Sequence, residues 1–323
     1  MRGLQPPPEV ESPSRALARV LMLLILAVTA GLIIFAATTN QRIDLTEDLR
    51  AVTLELSNPS EIDGLTINVV EDAGGSVPVV LLHDADVTGG LILSDVSASL
   101  PDPYAGVRLD LPGFGYSDRI VSEAPRHTVA GIAEVVAGVL EERYGSGVLV
   151  AGVGLGGEVG AELAVTYPHL VAGLVMVDVD FWAGDSFETT LQGAPWVGRA
   201  ATYTWETGGR FSIDNWMPYC EVGGWCASPE QLAERAVILT IEGTTDSFRG
   251  FRRTAKAASA PANLADITAP TAYVWSTSGE VPSETVDRLG EEIASLTVIE
   301  SDFYQAHLED PATVVSAVAA VDS

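Results

Sequence analysis

Residues 148–170 constrain the fold more than any other stretch. The apolar run at 148–151 reads as a buried strand, and the glycine-dense segment 152–157 reads as a sharp turn. Glu158, Ala161, Glu162, Leu163 and Ala164 then begin a segment of good helix formers. Strand, tight turn and helix is the setting in which the pattern G-x-S-x-G exposes a serine nucleophile on a strained bend. The spacing is kept here as Gly152-Val153-Gly154-Leu155-Gly156, but the serine position holds Gly154.

The flanks repeat the alternation of strand and helix. Residues 51–56 and 65–70 read as strands with a turn at Asp63-Gly64, and residues 77–82 read as a buried strand ending at His83-Asp84. A short helix at 91–100 leads to a strand at 107–109. A helix at 127–144 follows, with Val129, Ile132, Val135, Val136 and Leu140 at helical spacing. After the turn come strands at 171–177, 271–275 and 296–299, with a helix at 282–293. Such alternation predicts an α/β fold with a mostly parallel sheet covered on both faces. Residues 181–263 break the alternation. They carry Trp182, Trp196, Trp205, Trp216 and Trp225 together with Cys220 and Cys226, and are expected to form an insertion whose tryptophans are mainly its own core.

Ahead of this domain, residues 1–19 are polar and proline-bearing and read as a disordered cytoplasmic tail. Residues 20–39 contain no charged side chain and are long enough to cross a bilayer as one helix. Arg15 and Arg19 precede the run, while Asp44, Glu47 and Asp48 follow it. The positive-inside bias therefore predicts a single-pass anchor with the main domain outside the cytoplasm, and cleavage as a signal peptide is the competing expectation. An oxidising compartment suits a disulfide between Cys220 and Cys226. The net charge of −27 and pI near 4.2 speak against nucleic acid as a partner, because phosphate binding needs Lys and Arg. No cysteine and histidine spacing suggests a metal site, and no cofactor is expected.

The segments VVLLHD, DLPGFGYSDR, GVGLGG, ITAPTAYVW and HLEDP occur in an order and spacing that resembles the α/β-hydrolase superfamily, nearest its capped epoxide-hydrolase and esterase-like branch. The resemblance covers about residues 50–321. It implies a core at 45–180 and 264–321 with a helical cap at 181–263. It also implies an oxyanion loop at His83 and Asp84 with Leu155 following the nucleophile, a catalytic acid after the strand at 271–275, and a catalytic histidine three positions before HLEDP. The acid slot falls on Gly279, or on Glu280 with a different gap, and the histidine slot is Tyr304. Ser117 belongs to the DLPGFGYS scaffold, and His83 is expected to be structural.

A triad needs a nucleophile, a base and an orienting acid. Gly154 cannot attack, Gly279 cannot orient, and an unperturbed tyrosine with a pKa of about 10 is a poor base. Asp84 would put a carboxylate where an oxyanion should form. The expectation is a membrane-anchored protein of this fold that has lost its chemistry and binds an apolar small molecule or an envelope protein through the old cleft. Two alternatives remain. One is an active ester or epoxide hydrolase using relocated Asp180, Glu280 or His307; the other is a structural envelope protein with a filled cleft. Gly152, Gly154 and Gly157 also spell G-x-G-x-x-G, with Asp178 or Asp180 where a ribose-binding acid would fall. The position of that pattern, after DLPGFGYSDR and off the first strand, opposes a dinucleotide site.

Overall fold

A computed structural model describes residues 13–48, 58–121, 125–183, 187–194, 197–205, 225–254 and 263–322. Helix α1 (Pro13–Thr46) comes first, so residues 13–19, expected to be disordered, are helical instead. It is the one described helix long and apolar enough to span a membrane, over Arg19–Thr46. The expected strand at 51–56 lies outside the described residues. The hairpin turning at Asp63-Gly64 joins β1 (Ser60–Ile62) to β2 (Leu65–Ile67).

β3 (Val69–Glu71), β4 (Val77–Leu82), β5 (Tyr104–Leu109), β6 (Val148–Val153) and β7 (Val171–Val177) belong to the main sheet. Helices α2 (Ser94–Ser99), α3 (Val129–Arg143) and α4 (Leu155–Thr166) connect its strands from β4 onward. Between β7 and the next strand the chain inserts α5 (Phe187–Gly193), α6 (Gly198–Trp205), α7 (Pro229–Ile238) and α8 (Thr244–Thr254). β8 (Thr271–Ser276), α9 (Ser283–Glu292), β9 (Leu296–Ser301), α10 (Ala306–Glu309) and α11 (Pro311–Val321) complete the chain. The sheet order is β3-β5-β4-β6-β7-β8-β9, parallel except for β3 against β5. This is an α/β-hydrolase-type sheet with a helical cap inserted after β7.

Strand residues alternate between two cores, as a period of two requires. Val79, Leu81, Val175, Val177 and Val274 pack against Val314, Ala317 and Val318 of α11. Val80, Leu82, Val150, Leu174 and Met176 face the other way, toward Ile132 and Val136 of α3 and Val159 and Leu163 of α4.

The DLPGFGYSDR segment is built around Asp110, whose carboxylate accepts from Gly90 N (2.6 Å), Tyr116 N (2.8 Å) and Asn68 Nδ2 (2.8 Å). Ser117 donates to Asp110 O at 2.7 Å and accepts from Asn68 N at 2.9 Å, so its hydroxyl is committed to the scaffold. The end of α1 rests on the cap. Ala36, Ile43 and Glu47 are buried along one helical stripe. Glu47 accepts from Gly243 N (2.9 Å), Thr245 N (3.0 Å) and the Thr245 hydroxyl at the start of α8. Arg199 of α6 pairs with Asp44 at 2.9 Å and with Asp246 at 3.0 Å.

Candidate functional site: a glycine elbow filled by a carboxylate

Gly154 sits between β6 and α4 at φ 47° and ψ −114°, a conformation that strains any residue with a Cβ. Its neighbours are equally confined. A Cβ on Gly156 would lie 2.1 Å from Leu82 O, and one on Gly152 would lie 2.2 Å from Gly156 O. The elbow is therefore drawn tightly against β4, which places the end of β4 beside it.

That end carries Asp84. A Cβ on Gly154 would stand 2.2 Å from Asp84 Oδ1 and 2.4 Å from Asp84 Cγ. The same Oδ1 accepts from Leu155 N at 2.8 Å. In an elbow of this kind the amide after the nucleophile is an oxyanion donor. Here an internal carboxylate takes that donor and fills the room a nucleophile's side chain would need. The expectation that Asp84 lies beside the oxyanion position is thus replaced by a closer relation, direct occupation of that position. His83 does not reach the cavity. Its ring is buried, its Nε2 accepts from Leu111 N at 2.9 Å, and its Nδ1 lies 2.5 Å from Asp84 O. An accepting Nε2 leaves the proton on Nδ1, and burial holds the imidazole below its usual pKa and therefore neutral.

A cavity of about 490 Å³ opens above the elbow. It gathers Gly154, Leu155, Asp84, Asp180, Glu280, Tyr304 and His307, residues far apart in sequence. The phenol of Tyr304 donates to Glu280 Oε1 at 2.7 Å. Asp180 Oδ1 accepts from Trp182 N at 3.0 Å and Thr285 Oγ1 at 3.2 Å. His307 is buried, its Nδ1 has no hydrogen-bond partner, and desolvation pushes its pKa down to about 4 against the pull of Asp84 and Asp86. It is an uncharged imidazole in a negative surrounding, and among the described residues it makes no hydrogen bond to a carboxylate that could orient it as a base. Gly279 is not part of the lining. It closes the turn after β8, donating to Ser276 O at 2.8 Å.

Sequence reasoning undervalued Asp178 and missed Arg252. Asp178 also lines the cavity, at φ 51°, with Oδ1 and Oδ2 accepting from Ser276 N (2.7 Å) and Ser276 Oγ (2.6 Å). Burial raises its pKa, and the charge of Asp84 adds to the effect. With both oxygens held by Ser276, it has no role as a ribose-binding acid. Its signal was the acidic residue directly after the apolar run at 171–177. Arg252 reaches the cavity from the end of α8, its guanidinium 5.0 Å from the Phe248 ring centre. Neither Trp182 nor Trp225 lines this cavity. Trp196, Trp216 and Cys220 lie outside the described residues, so the expected Cys220–Cys226 pairing does too.

Parallel sheet, glycine elbow, cap and cavity at the strand ends define the class: a capped hydrolase scaffold with a substituted catalytic elbow. The alpha/beta hydrolase family model matches residues 79–317, and the chain belongs to that family. Similar solved structures include a thermophilic esterase from Thermogutta terrifontis with malate bound. It is 20% identical with a TM-score of 0.61, covering 81% of this chain and 97% of that one. A hydrolase from Pseudomonas aeruginosa PA01 is 20% identical with a TM-score of 0.65, covering 83% and 99%. The enol-lactonase from Burkholderia xenovorans LB400 is 16% identical with a TM-score of 0.61, covering 81% and 98%. At these identities the likeness is one of fold. A curated relative, the dihydrolipoyllysine-residue acetyltransferase component of the acetoin cleaving system of Cupriavidus necator, is 32% identical over 120 residues. That match covers 36% of this chain and 30% of the relative, so the chain spans less than a third of that protein's length.

Proposed function

We propose that this protein is a catalytically degenerate hydrolase, anchored in a membrane by α1 with its main domain outside the cytoplasm, that binds a small molecule in the cavity beneath its cap. One observation carries the reading. The Asp84 carboxylate occupies the space of the missing nucleophile and takes the Leu155 amide that an oxyanion would use. Loss of the nucleophile alone removed about 10⁶-fold of turnover in the serine protease where it was measured. Here the donor is also engaged by a negative charge that opposes a second one. The cavity is large enough for a ligand of metabolite size. The Cys220–Cys226 disulfide belongs to this reading, as a loop staple in an oxidising compartment.

The competing reading, water activated by His307 and Asp180, draws on the presence of both in the cavity. It is weakened by the low basicity of His307 and by the structural bonds that hold Asp180. Incubating the full chain in detergent with a fluorescent alkylphosphonate and with a panel of short acyl esters and epoxides separates the two. The degenerate reading expects neither labelling nor turnover. Covalent labelling, or ester turnover abolished by His307→Gln, would overturn it.

A further inference from the structure

Helix α1 does not stop where its apolar run ends. At 1.5 Å per residue the run 20–39 is about 30 Å long, the thickness of a hydrocarbon core. Its large side chains, Val20 to Leu26, Val28 and Leu32 to Ile34, stand exposed, and burial begins at Ala36. The helix continues unbroken to Thr46 and is gripped by the cap at once. Arg199 of α6 donates to Asn40 O at 3.4 Å and pairs with Asp44 at 2.9 Å. Those two positions lie about 1.5 and 7.5 Å past the run along the axis, within a headgroup layer of roughly 5–8 Å. Glu47, which accepts from Gly243 N and Thr245 N, lies about 12 Å past it. A helix that crosses a bilayer and holds the cap at these heights brings α6 and the start of α8 down to the lipid headgroups, and tilting the helix lowers them further.

The distribution of charge is an independent observation that turns the same side toward lipid. Residues 51–180 and 264–323 carry 30 acidic and 5 basic side chains, whereas residues 181–263 carry 9 and 7, and residues 1–50 carry five of each. The acidity of the chain is therefore that of the α/β core, and the inserted cap is close to neutral. A bilayer surface containing anionic lipid repels the core and tolerates the cap. Resting on the anchor reading above, we propose that the cap is the membrane-facing side of this protein: α6 and the start of α8 lie against the lipid headgroups, and the acidic core points away from them. α8 runs from Thr245, held by Glu47, to Arg252 in the cavity wall, about 10 Å farther along its axis. The docked cap thus fixes the height of the cavity above the bilayer, which a domain on a flexible tether would not have.

The test places the full chain in nanodiscs of phosphatidylcholine and phosphatidylglycerol whose headgroups carry an acceptor dye. A donor dye is attached through p-azidophenylalanine, either at Val237, exposed on α7 six positions before Gly243, or at Ser146, exposed just ahead of β6. Because β6 carries the chain about 20 Å from the Ser146 end toward the cap, energy transfer from position 237 is expected to be at least about twofold that from position 146. The double substitution Glu47→Ala with Arg199→Ala removes the grip of the cap on α1 and is expected to bring the two values together. Melting curves establish that each labelled protein is folded. Equal transfer from the two positions, or stronger transfer from position 146, would overturn the proposal, and so would a value at position 237 that the double substitution leaves unchanged. These results leave the anchor reading standing. A chain that fails to enter the nanodiscs refutes the anchor reading and this proposal together.

Discussion

Replacing Gly154 by serine restores the side chain that this elbow type usually carries, and the structure predicts that it harms the protein. Two costs are separable. A residue with a Cβ held at φ 47° and ψ −114° stores strain of about 1–3 kcal/mol. Its Cβ would also overlap Asp84, 2.2 Å from Oδ1 and 2.4 Å from Cγ, so the carboxylate must turn away and release Leu155 N. A hydrogen bond to a charged acceptor contributes roughly 1.5–3 kcal/mol, and the solvent exposure of Asp84 places this one at the low end. Gly154→Ser should therefore cost about 2.5–4.5 kcal/mol in the native background. With Asp84→Ala already in place only the strain remains, about 1–3 kcal/mol. A four-protein cycle read by urea unfolding of the full chain in detergent, followed by tryptophan fluorescence, should show a coupling of about 1.5 kcal/mol. Costs in the two backgrounds that agree within about 0.5 kcal/mol would refute the claim that Asp84 holds the nucleophile's place. Neither serine variant should acquire esterase activity, because Tyr304 stands where a histidine base would be needed.

Other consequences are equally specific. Burial keeps the folded-state pKa of His307 at about 4 against 6.5 for the exposed group, so the unfolded chain takes up that proton first. Its contribution to stability is fully present above pH 6.5 and falls by roughly 3 kcal/mol as pH drops to about 4. The wild-type and His307→Gln stability curves should differ by that slope in that window, and parallel curves would refute it. Asp110→Ala leaves three donors, Gly90 N, Tyr116 N and Asn68 Nδ2, without their acceptor. It should cost about 3–5 kcal/mol in chemical denaturation, and a loss under about 1 kcal/mol would show that the DLPGFGYSDR segment does not depend on this carboxylate. Glu47→Ala removes the acceptor for Gly243 N and Thr245 N, so amide hydrogen exchange at the start of α8 should speed at least tenfold while β4 and β6 stay protected. Unchanged exchange there would mean that α1 does not hold the cap.

What was written locally was legible without coordinates. The unbroken apolar run of Val79, Val80, Leu81 and Leu82 and the helical spacing in α3 are properties of short windows, and they placed the strands and the covering helices. The glycine at the elbow is equally local, since it states both the bend and the missing nucleophile. Pro13 and Ser14 begin a helix that runs unbroken through the apolar segment to Thr46, and Glu47, just past its end, is fixed by a partner 198 positions later, Thr245. The pairs that decide the site are long-range in the same way: Asp84 with Leu155, Asp178 with Ser276, and Tyr304 with Glu280. Each depends on parallel strand register, which brings the C-terminal ends of β4, β6, β7, β8 and β9 to one end of the sheet. Sequence alone determined that glycine stands at the serine position of the elbow and tyrosine three positions before HLEDP. Only the folded sheet decided that a carboxylate fills the vacant place, and that Asp178, Asp180 and Glu280 line the cavity above it.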